Sequence, residues 1–593
     1  MKKTTIYHKI LLPLCLSVVV MLSSCSAFDD FLEVLPTDQI TGEDFWKDKN
    51  DLYSMLGSCY IQLATSNVVN RMFLWGEARS DNFLLTGSSD ENLRNIMNAN
   101  LLPTNSNFAW ADFYTGIAYC NFCLQNGPGI VDKDASFSEA DWRPIEAQIK
   151  GIRALLYFYL VRAFRDVPLI THANDTSEGA NDPVPQNSSE EVLTFLINDL
   201  EAVKDNGMVN FGTDDQNKMY ITRDGIYALL CDIYLWRASK NSSADSLAKY
   251  PGEAQADYEK VIEYADILIA NRLADFKKDG SSDVYYGSSR SAFASEEELP
   301  LYVTEKQNRV SDAPFNAIFG EAYSKESILE LAGAGGTYSS CLGSSSNSQN
   351  MNVDGAFSAS SPFQTISNKP DDKSSVFSIT DLRYYEDIEK ATGSSATAVY
   401  KICKHTLQSV TTDGTSDITN TQAKIEYTWR SGAKSYMQYR ISDIMLMKAE
   451  AIACLQEYVL KADDATQLQE AFRMVNAVFS RSNPMIADAD KLSFDSYSTS
   501  QAMEELVMRE RQRELFADGK RWFDLVRLAM RNGNTSRMLN LLVAKYSTNA
   551  SAIKVKLATM NSLFNPVYSD EIKVNTALVQ NPAWITDETI VKN

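Results

Sequence analysis

Histidine is nearly missing from this chain: three in 593 residues, with His8 in the leader and His172 and His405 far apart in sequence. No histidine-based metal cluster can be assembled from that pattern. Basic residues are outnumbered, 56 Lys and Arg against 77 Asp and Glu, for a formal net charge of −21. Nucleic-acid phosphates need clustered Lys and Arg, so that class of partner is excluded. Electrostatic docking on anionic lipid is disfavoured for the same reason. Beyond Leu22 no apolar run approaches the roughly 20 residues that a membrane-spanning helix needs.

Cysteine is sparse and uneven. Of nine, Cys15 lies within the leader and Cys25 at its end, which leaves Cys59, Cys120, Cys123, Cys231, Cys341, Cys403 and Cys454. An odd number cannot form a complete disulfide framework. Most of them sit inside apolar helical patterns and read as buried thiols. Cys120-x-x-Cys123 has no second Cys pair at zinc spacing and no nearby His, so neither a metal nor a cofactor is expected. Catalytic signatures are missing too. There is no G-x-S-x-G elbow and no P-loop, since Gly519-Lys520 lacks its upstream glycine. With 77 acidic residues, a carboxylate pair for glycoside hydrolysis could be picked anywhere and carries no weight. Asp132-Lys133-Asp134 and the Asp279–Asp283 stretch fall short of a calcium-loop ligand set.

What is present begins at the N-terminus. Lys2, Lys3 and Lys9 form a positive head, Ile10 to Leu22 is an almost unbroken apolar run, and Leu22-Ser23-Ser24-Cys25 closes it. This has the form of a bacterial lipoprotein cleavage box, in which Cys25 becomes the first mature residue and carries lipid. An ordinary signal peptide that ends near a cysteine is the competing reading. At about 0.8 kcal/mol per buried CH₂, two or three acyl chains on Cys25 would hold the protein on a membrane.

Helical periodicity follows. Apolar stripes run through Phe45–Leu63, Trp110–Leu124, Ile145–Ala163, Leu193–Leu200, Ile226–Leu235, Tyr258–Ile269, Ile441–Leu455 and Leu468–Phe479. Ser188 with Glu191 predicts a capping box, and Thr222 predicts an N-cap. Pro144 suits a first helical turn, and Val167-Pro168 ends the helix before it. About eight helices, in adjacent antiparallel pairs, suggest tetratricopeptide-like units. Between about Asp279 and Ala433, Ser, Gly, Thr, Asn and Tyr dominate, which predicts loops with short strands. Helix resumes near Tyr439.

One charged block has its own pattern: Arg509-Glu510-Arg511-Gln512-Arg513-Glu514-Leu515-Phe516-Ala517-Asp518-Gly519-Lys520-Arg521-Trp522-Phe523-Asp524-Leu525-Val526-Arg527. Other segments accompany it in order: Trp75-Gly76-Glu77-Ala78-Arg79-Ser80-Asp81-Asn82, Glu326-Ser327-Ile328, Tyr439-Arg440-Ile441-Ser442-Asp443, and the ending Phe564-Asn565-Pro566 with Asn581-Pro582-Ala583-Trp584. Together with the lipobox, they resemble the SusD/RagB family of surface glycan-binding lipoproteins. Departures are small: Asp166 stands where Gly is usual, Ser442 where Ala is usual, and Ala583 where Gly is usual. The block itself reads as structural, with Glu505 and Arg509 spaced for an i,i+4 ion pair and Trp522 and Phe523 as packing residues.

The resemblance implies a mainly α fold of four tetratricopeptide-like helix pairs with a loop-rich, irregular insertion and C-terminal region. It divides the chain into a signal over 1–24, a lipidated tether over 25–44, a helical region over 45–278, a ligand-site insertion over 279–437 and a C-terminal region over 438–593. It also implies lipid anchoring on the outer face of the outer membrane and capture of an oligosaccharide without catalysis. The implied partner is a SusC-like TonB-dependent outer-membrane transporter. A peptide-binding lid and a surface glycoside hydrolase are the alternatives. Sugar recognition needs aromatic faces and paired polar groups. Trp75, Tyr285, Tyr286, Tyr323 and Trp429 are the candidate platforms, with Arg79, Asp81 and Asn82 as polar partners.

Overall fold

The computed structural model describes residues 45–85, 90–173, 183–278, 299–302, 314–320, 324–331, 357–390, 400–412, 425–429 and 435–585, apart from residues 365, 371, 406 and 485. The leader and Cys25 lie outside these residues. The described chain is mainly helical. Helices α1 (Lys49–Leu63), α2 (Ser66–Phe73), α3 (Ala111–Lys133), α4 (Glu139–Phe164) and α5 (Ser189–Glu201) form the first half. Helices α6 (Arg223–Lys240), α7 (Glu253–Lys278), α8 (Ile441–Cys454), α9 (Ala465–Ser482), α10 (Ser500–Glu514) and α11 (Arg521–Asn532) follow. Neighbours pack in succession: α1 on α3, α3 on α4, α4 on α5, α6 on α7, α7 on α8, and α8 on both α9 and α10. This is how tetratricopeptide-like pairs bury one another's apolar faces.

Local chemistry sets the ends. Ser188 accepts from the Glu191 amide, and Glu191 accepts from the Ser188 amide and hydroxyl at 2.8 Å each, as the spacing predicts. Thr222 caps α6 through the Gly225 amide at 3.1 Å. Helix α4 begins five residues before Pro144, at a Ser138–Asp141 capping box. Pro144 is therefore inside the helix. Its missing N–H leaves only the Ala140 carbonyl unpaired by helix geometry, and Ala140 is exposed to water. From Ala147 onward α4 is buried on almost every side, which marks it as a central helix. It stops at Arg165, whose φ of 72° cannot continue a right-handed helix.

The strands are few, and each pairs antiparallel with one other. β1 (Phe83–Leu85) pairs with β3 (Phe357–Ala359), and β2 (Ser327–Leu331) with β8 (Tyr436–Arg440). β4 (Ile388–Lys390) pairs with β5 (Tyr400–Ile402), and β6 (Leu407–Thr412) with β7 (Ile425–Trp429). The helical series thus resumes at Ile441; Tyr439 and Arg440 are strand. The Ile441 amide donates to the Glu326 carbonyl at 2.8 Å, so the strand pairing runs straight into the helix start. No helix among the described residues is long and apolar enough to cross a membrane.

Candidate functional site

The charged block builds a lattice of buried ion pairs. Arg511 on α10 donates to Asp524 on α11 at 3.0 and 2.9 Å and to Asp443 on α8 at 2.9 Å. Arg527 grips both oxygens of Glu450 at 2.9 and 2.7 Å, and Arg531 joins Glu450 at 2.7 Å to Glu504 at 3.0 Å. Burial alone would push Glu450 up, but Arg527, Arg531 and Arg511 outweigh it and hold the carboxyl well below its ordinary range. Removing one partner of such a buried pair costs about 3–5 kcal/mol, because the other charge is left uncompensated. The arginines of this block therefore tie α8, α10 and α11 together and offer no basic surface. Arg509 donates to the carbonyls of Asp372 and Ser375, while Glu505 lies 3.9 Å from both Lys373 and Arg537. Both ends of the expected Glu505–Arg509 pair thus have partners outside α10.

Between α10 and α11 the chain turns through Gly519, at φ +73°. Gly76 packs against this turn so closely that a Cβ there would lie 1.7 Å from the Gly519 carbonyl oxygen. That approach brings the Trp75–Asn82 motif onto the charged block, and it decides what the motif's candidate residues do. Trp75 stacks on Phe113 at 4.8 Å between centroids and donates its indole N–H to the Asn107 carbonyl at 2.9 Å. Arg79 donates to the carbonyls of Leu563 and Ser562 at 2.8 and 2.6 Å and covers the Trp522 ring at 4.0 Å. Asp81 accepts two bonds from Arg521, whose charge holds its carboxyl low against the opposing effect of burial. Asn82 donates to Glu77 at 2.6 Å.

All four are buried, with Trp75 4 % exposed. Their stacking faces and polar atoms are taken up by the protein itself in this structure. Tyr285, Tyr286 and Tyr323 lie outside the described residues. Trp429 ends β7, in register with Leu407 of β6. The structure therefore places Trp75, Arg79, Asp81 and Asn82 together in one buried segment.

One cavity escaped the sequence reading. It lies between the turn 314–320, the short helix Arg383–Asp387 and the C-terminal ends of α9 and α10, lined by Phe315, Phe319, Arg383, Glu386, Asp387 and Lys404 among others. Its water-accessible volume is about 30 Å³, room for one or two waters. A drug-sized ligand needs about 300 Å³ or more, so this cavity admits no sugar ring as it stands. Here burial pushes the Asp387 carboxyl up to about 7, Lys404 opposing and Asp518 adding to the effect. Burial and the adjacent Asp387 push Glu386 well above the ordinary range. Nothing in the local sequence Tyr384-Tyr385-Glu386-Asp387 marks these carboxyls as buried. The thiols of Cys59, Cys120, Cys123, Cys231, Cys403 and Cys454 are buried and outside any disulfide, and most follow the apolar helical settings that predict buried thiols. Among the described residues, no cluster of His, Cys, Asp or Glu could hold a metal ion.

Among the described residues the architecture is that of a helical-repeat scaffold with a few short antiparallel strand pairs. Residues 367–584 match the SusD family model. SusD-like protein P38 of Formosa agariphila is 23% identical over 551 residues, covering 86% of this chain and 90% of the relative. SusD-like protein P2 of the same organism is 21% identical over 531 residues, covering 87% and 90%. A SusD superfamily crystal structure from Bacteroides thetaiotaomicron superposes with a TM-score of 0.59 at 18% identity, over 91% of this chain and 99% of that one. A structure from Bacteroides vulgatus, described as sugar binding, superposes with a TM-score of 0.58 at 17% identity, over 92% and 100%. Over its C-terminal third the chain is thus similar to the SusD family, and over most of its length it is similar to SusD-like proteins and shares their fold.

Proposed function

We propose that this chain is a non-catalytic, cell-surface glycan-binding lipoprotein that captures an oligosaccharide and passes it to a SusC-like TonB-dependent outer-membrane transporter. The observation that carries the reading is the match of residues 367–584 to the SusD family model, with SusD-like relatives aligned over most of the chain. Lipid on Cys25 would anchor the protein on the outer face of the outer membrane, residues 25–44 serving as the tether. The net charge of −21 supports this division of labour, since lipid must supply the membrane affinity that electrostatics does not.

With Trp75, Arg79, Asp81 and Asn82 absorbed into the frame, the ligand falls to the 279–437 segment, where Tyr285, Tyr286, Tyr323 and Trp429 are the proposed platforms. Aromatic faces there would stack on the C–H faces of sugar rings, and loop polar groups would pair with hydroxyls. Binding of this kind needs no bond to be made or broken.

Calorimetric titration of a soluble chain beginning at Ser26, against plant, host and microbial glycans and a peptide mixture, tests the proposal. Saturable binding to one glycan class supports capture, and its loss on alanine substitution at Tyr285, Tyr286 or Trp429 supports the site. Binding to peptides alone, or sustained release of new reducing ends from a glycan, overturns it.

A further inference from the structure

Glu386 and Asp387 close the short helix Arg383–Asp387, and both line the water-sized cavity. They are 4 % and 1 % exposed, and Glu386 Oε1 and Asp387 Oδ2 have no hydrogen-bond donor. The neighbouring cations are already committed. Arg383 serves Asp381, Glu510 and Glu514; Arg481 serves Glu326 and Glu514. Lys404 donates to the carbonyls of Glu514 and Phe516 at 2.7 and 3.0 Å and pairs with Asp518 at 3.3 Å. The opposite wall is Pro314, Phe315, Ile318 and Phe319, which offer this space no side-chain donor.

We propose that the Glu386–Asp387 pair is a proton-operated latch: while it holds its protons the turn 314–320 closes over the cavity, and when it ionises the turn lifts and water enters. A protonated carboxyl can donate as well as accept, so the neutral pair needs no further donor from the walls. An ionised pair is different. Two negative charges side by side, each with an oxygen that no donor reaches, are poorly hydrated in a cavity with room for one or two waters, and the cost of burying them exceeds that of a lost hydrogen bond.

Relief comes from whichever wall yields. The Arg383 side is fixed by several charged bonds to α10, including Arg383 to Glu510 at 2.7 Å. On the facing side the Phe319 ring lies under Lys404 at 5.0 Å, under Arg440 at 5.3 Å and against His405 at 5.5 Å, and the segment packs along β6. The other acids near the pair are Asp381, Glu514 and Asp518, and added charge repels theirs. Burial holds Asp387 up at about 7 and Glu386 well above its ordinary range, so the closed pair keeps protons that an opened, hydrated pair has already lost.

Hydrogen–deuterium exchange on the intact soluble chain tests the latch. Protection across residues 314–320, corrected for intrinsic exchange, is expected to fall by up to about tenfold per pH unit between about pH 4, where a hydrated carboxyl ionises, and about pH 7, where the buried Asp387 does, and to level off above that, as one-proton linkage requires. Protection in α10 should stay constant. Asp387→Asn and Glu386→Gln each remove a titrating carboxyl with little change of shape, and each is expected to flatten the profile. If Asp387→Asn does not fold, Glu386→Gln alone decides the comparison. Constant protection of 314–320 in the wild type overturns the latch, and so does an unchanged pH profile in the variants.

Discussion

Asp81 and Arg521 stand 440 positions apart in the chain and meet as a two-toothed ion pair, Nε to Oδ1 at 2.8 Å and Nη2 to Oδ2 at 2.9 Å. The pair fastens the segment after α2 to the first turn of α11. It also joins the N-terminal Trp75–Asn82 motif and the C-terminal charged block into one piece of structure.

Removing one end should be costly. Asp81→Ala leaves the Arg521 charge buried without its main partner, and a loss of about 3–5 kcal/mol is expected. Urea unfolding followed by circular dichroism checks this. Because Asp81 is framework, glycan affinity measured on the surviving folded fraction should be unchanged.

The contact between Gly76 and Gly519 should tolerate nothing larger. A Cβ on residue 76 would meet the Gly519 carbonyl at 1.7 Å, and one on residue 519 would meet the Tyr436 hydroxyl oxygen at 2.3 Å. Gly76→Ala has backbone in its way and is expected to abolish soluble expression. Gly519→Ala adds strain at φ +73°. Tyr436→Phe in the same chain, which removes the clashing oxygen, should partly restore it by thermal melting.

Asp518 predicts the acid limb of the stability curve. Burial would raise its carboxyl, but Arg440, Lys404 and His405 outweigh this and hold it well below the ordinary range. The folded value lies below the unfolded one, so the stabilisation is present above about pH 4 and is lost as pH falls below that. Asp518→Asn should therefore cost most at neutral pH and progressively less below pH 4. Chemical denaturation at several pH values measures the difference.

Lys545 predicts the opposite limb. Burial lowers its ammonium to about 7, with Asp81 and Glu77 opposing, and the amine donates to the Ser80 carbonyl. Between about pH 7 and pH 10 the unfolded chain binds a proton that the folded chain does not, so this residue makes stability rise with pH there. Lys545→Met is expected to remove up to about 1.4 kcal/mol per pH unit from that slope. Equal slopes in the two proteins would contradict the assignment.

Two tryptophans separate framework from proposed site. Trp75→Ala empties a space between Phe113 and Phe164 and should destabilise the fold by about 3–5 kcal/mol. Trp429→Ala should weaken glycan binding while leaving the melting temperature within a few degrees. Thermal melts and calorimetry on both variants decide it.

Sequence alone determined the elements whose signals are local. Apolar periodicity placed α1 and α3 to α9, and capping chemistry at Ser188 and Thr222 marked two starts, because a helix end satisfies its amides from residues two or three positions away. The charged block carried the family resemblance although its apolar spacing is crowded with Arg and Glu, and the structure shows those charges pairing inward. Tertiary structure alone decided which side chains face water. Trp75, Arg79, Asp81 and Asn82 have the composition of a sugar site, and they are consumed by Phe113, Leu563, Arg521 and Glu77, partners that no local spacing connects to them. The same holds for Glu386 and Asp387, two acids in a polar stretch whose burial depends on α9, α10 and the turn 314–320 closing round them. Burial is a property of what packs against a residue from elsewhere in the chain, and that information exists only once the chain has folded.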